Sequence, residues 1–435
     1  MKSIFLIYAI LFVSFSLKGQ SLDVTSIRKE LDYSNVLKAH FFGFCLYDLD
    51  SNRFVMGVNE NKLFTPASNA KTFTLFASLK NLGDSIPGLH YVERGDSLIF
   101  WGTGDPTFLH NRLDSRKVFD FLKTSKKRLY YAAEQQAEET FFRKGWAMED
   151  YEEYYQPEIS SFPIFGNVVT FREKKGVLTC SPARFQSAIE YRADANANYA
   201  LSRRFTENVY EQNRTSPPHK YVNEKPFRYS PQLFVQLLTD TLKRDVKLIA
   251  YNRPTDFKTI YSQATAYLLR EMMLPSDNFI AEQLNMLIAQ EKYASFQTAR
   301  LRNDMQKEYY DYFTDKIELY DGSGLSSYNK VTPRSMVELL SLIHNSIKDS
   351  TALHRLFPTG GVDGTLKRAY ALDKGEPFVW AKTGTVHAVH NQSGFIRTRK
   401  GRNFAFSFLN TNFWGEATAV RREMVRIMTF IRENY

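Results

Sequence analysis

The sequence predicts an α+β fold in which an antiparallel sheet flanked by helices is built from both chain ends, with a large insertion between them. Three observations predict it. Strand-like pairs stand near both ends of the chain (41–58 and 391–410), an amphipathic helix follows the second pair, and a long middle stretch of different texture separates two helical regions. The sequence contains no internal repeat and no low-complexity tract.

The chain opens MKSIFLIYAILFVSFSLKGQS, a lysine, an apolar run and then small and polar residues. This reads as a secretory signal peptide over residues 1–19. The run is short for a bilayer span, and no cysteine follows closely enough for a lipid anchor. An exported, periplasmic protein of the cell envelope is expected, without a transmembrane anchor after cleavage. In FFGFCLYDLDSNRFVMGV (41–58), two β-rich halves flank Asp50-Ser51-Asn52, a hairpin pattern. LFTPASNAKTFTLFASLKNLG (63–83) then reads as a helix, with Pro66 at its start and Gly83 at its end. Phe73, Phe76, Leu79 and Leu82 recur at helical spacing, and Ser68 falls in the first turn.

From 85 to 261 short strand-like pieces alternate with aromatic and charged segments, and residues 214–232 read as loop. Helices return in SQATAYLLREMML (262–274) and FIAEQLNMLIAQEK (279–292). FVWAKTGT (378–385) reads as a strand, and the stretch 391–410 as a hairpin turning at Lys400-Gly401. A last helix is predicted over Ala417 to Arg432, with Val420, Met424, Ile427 and Ile431 as its stripe. Residues 20–84 and 262–435 are therefore assigned to one domain and 85–261 to the insertion.

Composition narrows the function. An ordinary globular balance argues against large-scale disorder. Two cysteines, Cys45 and Cys180, make no disulfide scaffold, and buried thiols and one disulfide are equally open. The net charge of +10 is scattered. An exported protein seldom meets nucleic acid, so a solvated basic surface near anionic cell wall fits better.

Three motifs carry chemistry. Ser-x-x-Lys occurs three times, and a lone copy is usually an exposed serine beside a solvated lysine. Only Ser68 and Lys71 sit on the opening turn of an apolar helix, where residues three apart share a face. A desolvated lysine there has a lowered pKa and could take the serine proton. Backbone N–H groups of the first turn suit a developing oxyanion. Ser276-Asp277-Asn278 is the second motif, whose plainer reading makes Ser276 a helix N-cap. The third, Lys382-Thr383-Gly384, ends an apolar alternation, and its plainer reading is an edge-strand lysine. Together, in this order on helix, loop and strand, they form the signature of penicillin-binding proteins and class A β-lactamases.

The sequence resembles the class C low-molecular-mass penicillin-binding proteins, the exported D-alanyl-D-alanine carboxypeptidase/endopeptidase family. PASNAK, GTGDPT (102–107), YDGSGLS (320–326) and GGVDGTLKR (360–368) resemble its characteristic segments, in the expected order. The long interval from Ser68 to Ser276 fits the insertion that defines the family. The resemblance implies a serine β-lactamase/DD-peptidase-like fold acting on D-Ala-D-Ala peptides of peptidoglycan, with β-lactams as covalent inhibitors. It implies Ser68 as the acylated nucleophile and Lys71 as its base. Ser276 would relay the proton, Asn278 would hold the substrate amide, and Lys382 would supply positive charge. Thr383 and Thr385 would bind the terminal carboxylate next to Gly384, Ser68 and Thr385 N–H groups would form the oxyanion hole, and Leu325 and Tyr155 would line the pocket. No cofactor or metal is implied, and oligomeric state is left open. The chain departs from the family at Ser327, where an arginine is usual, and has Val386 and His387 after the Lys-Thr-Gly-Thr run.

Other readings use the same residues differently. A β-lactamase would need a deacylating carboxylate. Glu152, Glu153 and Glu158 occupy a plausible region but read as a solvated acidic run. An esterase, an amidase or a non-catalytic envelope-binding homologue are further alternatives. A metal peptidase is disfavoured, since no H-E-x-x-H pair occurs and His387 and His390 read as surface or edge residues of an extended segment.

Overall fold

The computed structural model describes residues 24–133, 141–192 and 198–435. The expected signal peptide over 1–19 lies outside them. Both chain ends enter one five-stranded antiparallel sheet, ordered Val379–Val386, Val389–Arg397, Asn403–Thr411, Phe41–Asp48 and Arg53–Val58. Phe41 pairs with Thr411 and Asp48 with Phe404, so the first strand closes on the last across the whole chain. The predicted hairpins at 50–52 and 400–401 both form, with Asn52 and Gly401 in the left-handed region that tight turns require.

Each face of this sheet is covered by helices. Thr418–Asn434 packs on one face through Val420, Met424, Ile427 and Ile431, the stripe that its periodicity predicts. Lys71–Asn81, Thr265–Met273, Asn278–Tyr293 and Pro333–Ser346 form the larger core on the other. Residues 278–290 are buried all round, the mark of a central core helix. The Ser68 segment opens as a 3₁₀ turn, Ala67–Ala70, before becoming α-helical at Lys71.

Residues 85–264 supply a second five-stranded sheet, ordered Val246–Ile249, Arg128–Ala132, Ser97–Trp101, Ser85–Arg94 and Lys258–Ala264, with parallel and antiparallel pairs. It has its own aromatic-rich core, including Phe100, Phe108, Tyr131, Phe162 and Phe234. Two sequence expectations are corrected here. Residues 262–264 finish a strand, and the helix begins at Thr265, because pairing with Ser85–Arg94 continues to Ala264. The stretch 214–232 contains the strand Val222–Pro226, paired with Val168–Lys174, and Pro231 starts a helix. Its Val-Asn-Glu-Lys-Pro composition carries no apolar alternation, so only the partner strand reveals it. Cys45 and Cys180 are both free thiols.

The central helix joins the two parts. Gln283 donates from Nε2 to the carbonyls of Gly104 and Ser160 and accepts at Oε1 from Ser160 N–H. In the GTGDPT segment, buried Asp105 accepts from Thr107 N–H and Oγ1. Leu284 is fully buried in the larger core. Leu284→Ala is expected to cost about 2–5 kcal/mol, read as a lower urea midpoint at unchanged slope.

Candidate active site

Ser68, Ser276, Asn278, Leu325, Tyr155, Thr383 and Thr385 all line one cleft of about 1010 Å³. Lys71 and Lys382 lie beneath it, fully buried. Lys71 Nζ stands 3.1 Å from Ser68 Oγ, 2.6 Å from Asn278 Oδ1 and 2.6 Å from the Ser323 carbonyl. These are the three acceptors that an ammonium's three protons require. Lys382 Nζ donates to Ser276 Oγ at 2.8 Å and to its neighbour's carbonyl, Thr383 O, at 2.7 Å. The sequence-predicted residues thus form two lysine-centred groups at one cleft.

The backbone around Ser68 is held from several directions. Ala67 sits at φ +47°, a conformation that costs a non-glycine residue on the order of 1–3 kcal/mol. Asn391 Nδ2 donates to the carbonyls of both Thr65 and Pro66, gripping the approach to the turn. Gly384 lies against it on the edge strand. A Cβ at that position would fall 2.6 Å from Pro66 O and 2.8 Å from Ser68 N. Gly324, at φ +86°, passes so close that a Cβ would lie 1.9 Å from Ala67 O. Both glycines let separate segments press on the Ser68 turn.

Ser276 occupies φ +67° and is not the N-cap of the helix that follows. Asp277 takes that place, accepting from Ile280 N–H at 3.0 Å. The serine hydroxyl is thereby left to Lys382. Asn278 is fixed at both ends of its amide, Oδ1 to Lys71 and Nδ2 to the Tyr155 carbonyl at 2.9 Å. Tyr155 touches the site through its backbone as well as its ring.

Two buried carboxylates organise the loop that supplies the Ser323 carbonyl. Glu282 Oε1 accepts from the N–H groups of Gly322 and Ser323. Asp321 accepts from Gly324 N–H, Ser326 N–H, Asn329 Nδ2 and Trp146 Nε1. Burial pushes Lys71 down from the usual lysine range to about 8, while the charges of Asp321, Asp277 and Glu282 oppose that fall. Lys382 is pushed well below the lysine range by burial and by the Lys71 cation.

Several contributors escape the motifs. Thr365, in the GGVDGTLKR segment, bonds Thr383 Oγ1 at 2.7 Å. Glu282 belongs to no motif and is one of two acids in the helix Asn278–Tyr293. His387 and His390 do not share an extended segment, because a turn at 387–388 joins the edge strand to its inner neighbour. Val-His-Ala-Val holds no usual turn residue, which is why the pattern hides it. His390 is buried, not a surface residue, and bonds Thr385 Oγ1. Glu158 is also buried, accepting from Tyr229 N–H, and Glu152 accepts from Arg203 N–H. These acids brace the insertion and are not a solvated run. Asp150 is the carboxylate that lines the cleft, and burial together with its charge raises the pKa of the Tyr155 hydroxyl to about 12. Ser327 also lines the cleft, its Oγ 3.3 Å from the Gly145 carbonyl.

The pattern of the D-Ala-D-Ala carboxypeptidase 3 (S13) family matches residues 25–433. The chain belongs to that family. Among its relatives, D-alanyl-D-alanine carboxypeptidase DacB of Haemophilus influenzae is 39% identical over 152 residues, which span 33% of this chain and 31% of that protein. The D-alanyl-D-alanine carboxypeptidase of an Actinomadura species is 24% identical over 93% of this chain and 84% of its own. The crystal structure of penicillin-binding protein 4 (DacB) from H. influenzae superposes with a TM-score of 0.74 at 21% identity, covering 95% of this chain and all of that one. A second structure of that protein, complexed with a β-lactam, matches at a TM-score of 0.69. The chain therefore has the fold of that penicillin-binding protein.

The close approach at Gly384 generates a test. Gly384→Ala is expected to slow penicillin labelling of this S13 protein by about a hundredfold, the scale of a 1 Å misplacement of reacting groups. Fluorescent-penicillin gels over a time course measure it.

Proposed function

We propose that the chain is an exported serine DD-peptidase that hydrolyses D-Ala-D-Ala termini or nearby peptide crosslinks of peptidoglycan through a Ser68 acyl-enzyme. The observation that carries this reading is the Lys71 amine, placed within hydrogen-bond reach of the Ser68 hydroxyl. An amine brought near pKa 8 by burial holds an appreciable neutral fraction at cellular pH, so it serves as a base. Ser68 Oγ attacks the carbonyl between the two D-alanines as its proton passes to Lys71 Nζ. The oxyanion is met by the backbone N–H groups of Ser68 and Thr385. Ser276 then relays the proton held by Lys71, giving its own to the leaving D-alanine nitrogen and taking that one in its place as the C–N bond breaks, and water later cleaves the Ser68 ester to restore the hydroxyl.

The substrate's terminal carboxylate suits the other half of the cleft. Lys382 has no carboxylate acting on it among the described residues, so an incoming carboxylate would favour its ammonium form. Thr385 adds a hydroxyl donor to the same group, and Thr383 can add its own once its proton turns from Thr365 Oγ1 to the carboxylate. Asn278 retains one amide N–H for the substrate backbone, and Leu325 and Tyr155 form walls. A β-lactam would acylate Ser68 by the same route, as a covalent inhibitor. Export to the periplasm rests on the leader-like N-terminus, and among the described residues no helix is long and apolar enough to cross a membrane.

The β-lactamase alternative asks Asp150, which lines the cleft beside Tyr155, to activate water. Rapid turnover of penicillin, in place of a long-lived adduct, would favour it. A non-catalytic binding protein would neither trap penicillin nor release D-alanine. Wild type should carry a penicilloyl adduct on the Ser68 peptide by mass spectrometry, and Ser68→Ala none. Equal labelling of both would reject the scheme. The acylation rate should rise as pH increases through about 8, because the neutral Lys71 amine gains population above its pKa. Lys71→Arg, which cannot give up its proton, should lose about 10²- to 10⁴-fold. A rate that is flat or falling from pH 6 to 9 would contradict Lys71 as the base.

A further inference from the structure

His390 stands directly opposite Thr385 on the edge hairpin. Its Nδ1 lies 2.8 Å from Thr385 Oγ1. Its Nε2 is buried without a hydrogen-bond partner, in a residue only 1% exposed. Thr385 is exposed and lines the cleft. None of the steps proposed above uses this histidine.

Counting protons decides what the pair does. A threonine hydroxyl has one proton and two lone pairs, and a neutral imidazole has one N–H and one lone pair. With the ring proton on Nε2, an orphan donor would sit in the interior. Thr385 would then direct its own proton to Nδ1, turning only lone pairs toward the cleft. With the ring proton on Nδ1, the orphan is a lone pair, and buried unpaired N–H groups are the rarer of the two. Ring protons are assigned by satisfying such networks. A second ring proton is disfavoured, since burial and the charge of Arg421 hold the pKa at about 4.

We propose that His390 is a positioning residue: its Nδ1–H donates to Thr385 Oγ1, so the Thr385 hydroxyl has only its own proton to offer and offers it into the cleft, to the carboxylate that ends the substrate. This deepens the DD-peptidase reading and rests on it. The hydroxyl becomes an obligate donor, which favours a terminal carboxylate over a terminal amide. Lys382 supplies charge to that carboxylate, while His390 fixes the direction of one hydrogen bond to it.

Two measurements test this. Long-range ¹⁵N–¹H spectra of histidine-labelled wild type at neutral pH, assigned with His390→Asn, should show the Nδ1–H tautomer at His390. The Nε2–H form would overturn the proposal whatever the fate of the variants. Second, kinetics are compared on a peptide ending in D-Ala-D-Ala and on the same peptide with a C-terminal amide. His390→Val should lower kcat/KM for the free-acid peptide by about 10- to 100-fold, the worth of one hydrogen bond to a charged group. The loss should fall mainly in KM, with the amide peptide far less affected. His390→Asn, which returns an N–H near Nδ1, should recover most of the preference. Equal losses on both peptides, with no recovery, would mean a merely structural role and overturn the proposal. Wild type that releases no D-alanine would instead refute the DD-peptidase reading itself. An Nε2–H spectrum with intact turnover would remove His390 alone.

Discussion

A lysine amine sealed from water must find acceptors for its protons or lose one of them, and Lys71 finds three acceptors on segments far apart in sequence. Ser68 Oγ, Asn278 Oδ1 and the Ser323 carbonyl all meet at Nζ. None of these segments could drift without leaving a buried donor unpaired, which costs about 1–3 kcal/mol or more for a charged group. The amine is therefore a geometric tie among the Ser68 turn, the start of the central helix and the Ser323 loop, whatever its part in the chemistry. Its depressed pKa and its three-way fixing have the same cause, which is burial.

That tie needs support, and carboxylates under the cleft provide it. Glu282 and Asp321 bind the backbone of the loop that presents Ser323, and both are buried. Their charges, with that of Asp277, oppose desolvation of Lys71 and keep its pKa from falling further. Lys382 lacks such company and is driven further down. Two lysines in one cleft thus stand in different surroundings, which fits the proposal that Lys71 transfers a proton and Lys382 responds to an anionic group.

Much of this was legible in the sequence wherever a local rule governed it. The hairpins at 50–52 and 400–401, the stripe of the last helix, and Ser68 on a first turn all follow from turn chemistry or periodicity. The three motifs pointed to Ser68, Lys71, Ser276, Asn278 and Lys382, and the structure places their side chains around one cleft. Features set by distant pairing were not legible. Val222–Pro226 becomes a strand only because Val168–Lys174 lies beside it. Glu158 looked solvated within an acidic run, yet its burial is decided by Tyr229, 71 positions away. Asp277 takes the capping role expected of Ser276, because the left-handed turn at Ser276 aims that hydroxyl at Lys382. The turn at 387–388 likewise converts His390 from an apparent surface residue into a buried partner of Thr385.

The central claim is that one hydroxyl and one buried amine share a hydrogen bond around which three segments close. A crystal structure of the penicillin-treated protein tests it most directly. The account predicts an ester on Ser68 Oγ, with Lys71 Nζ still within hydrogen-bond distance of that oxygen and of Asn278 Oδ1. An ester on another residue, or a Lys71 amine turned away from both oxygens, would contradict it.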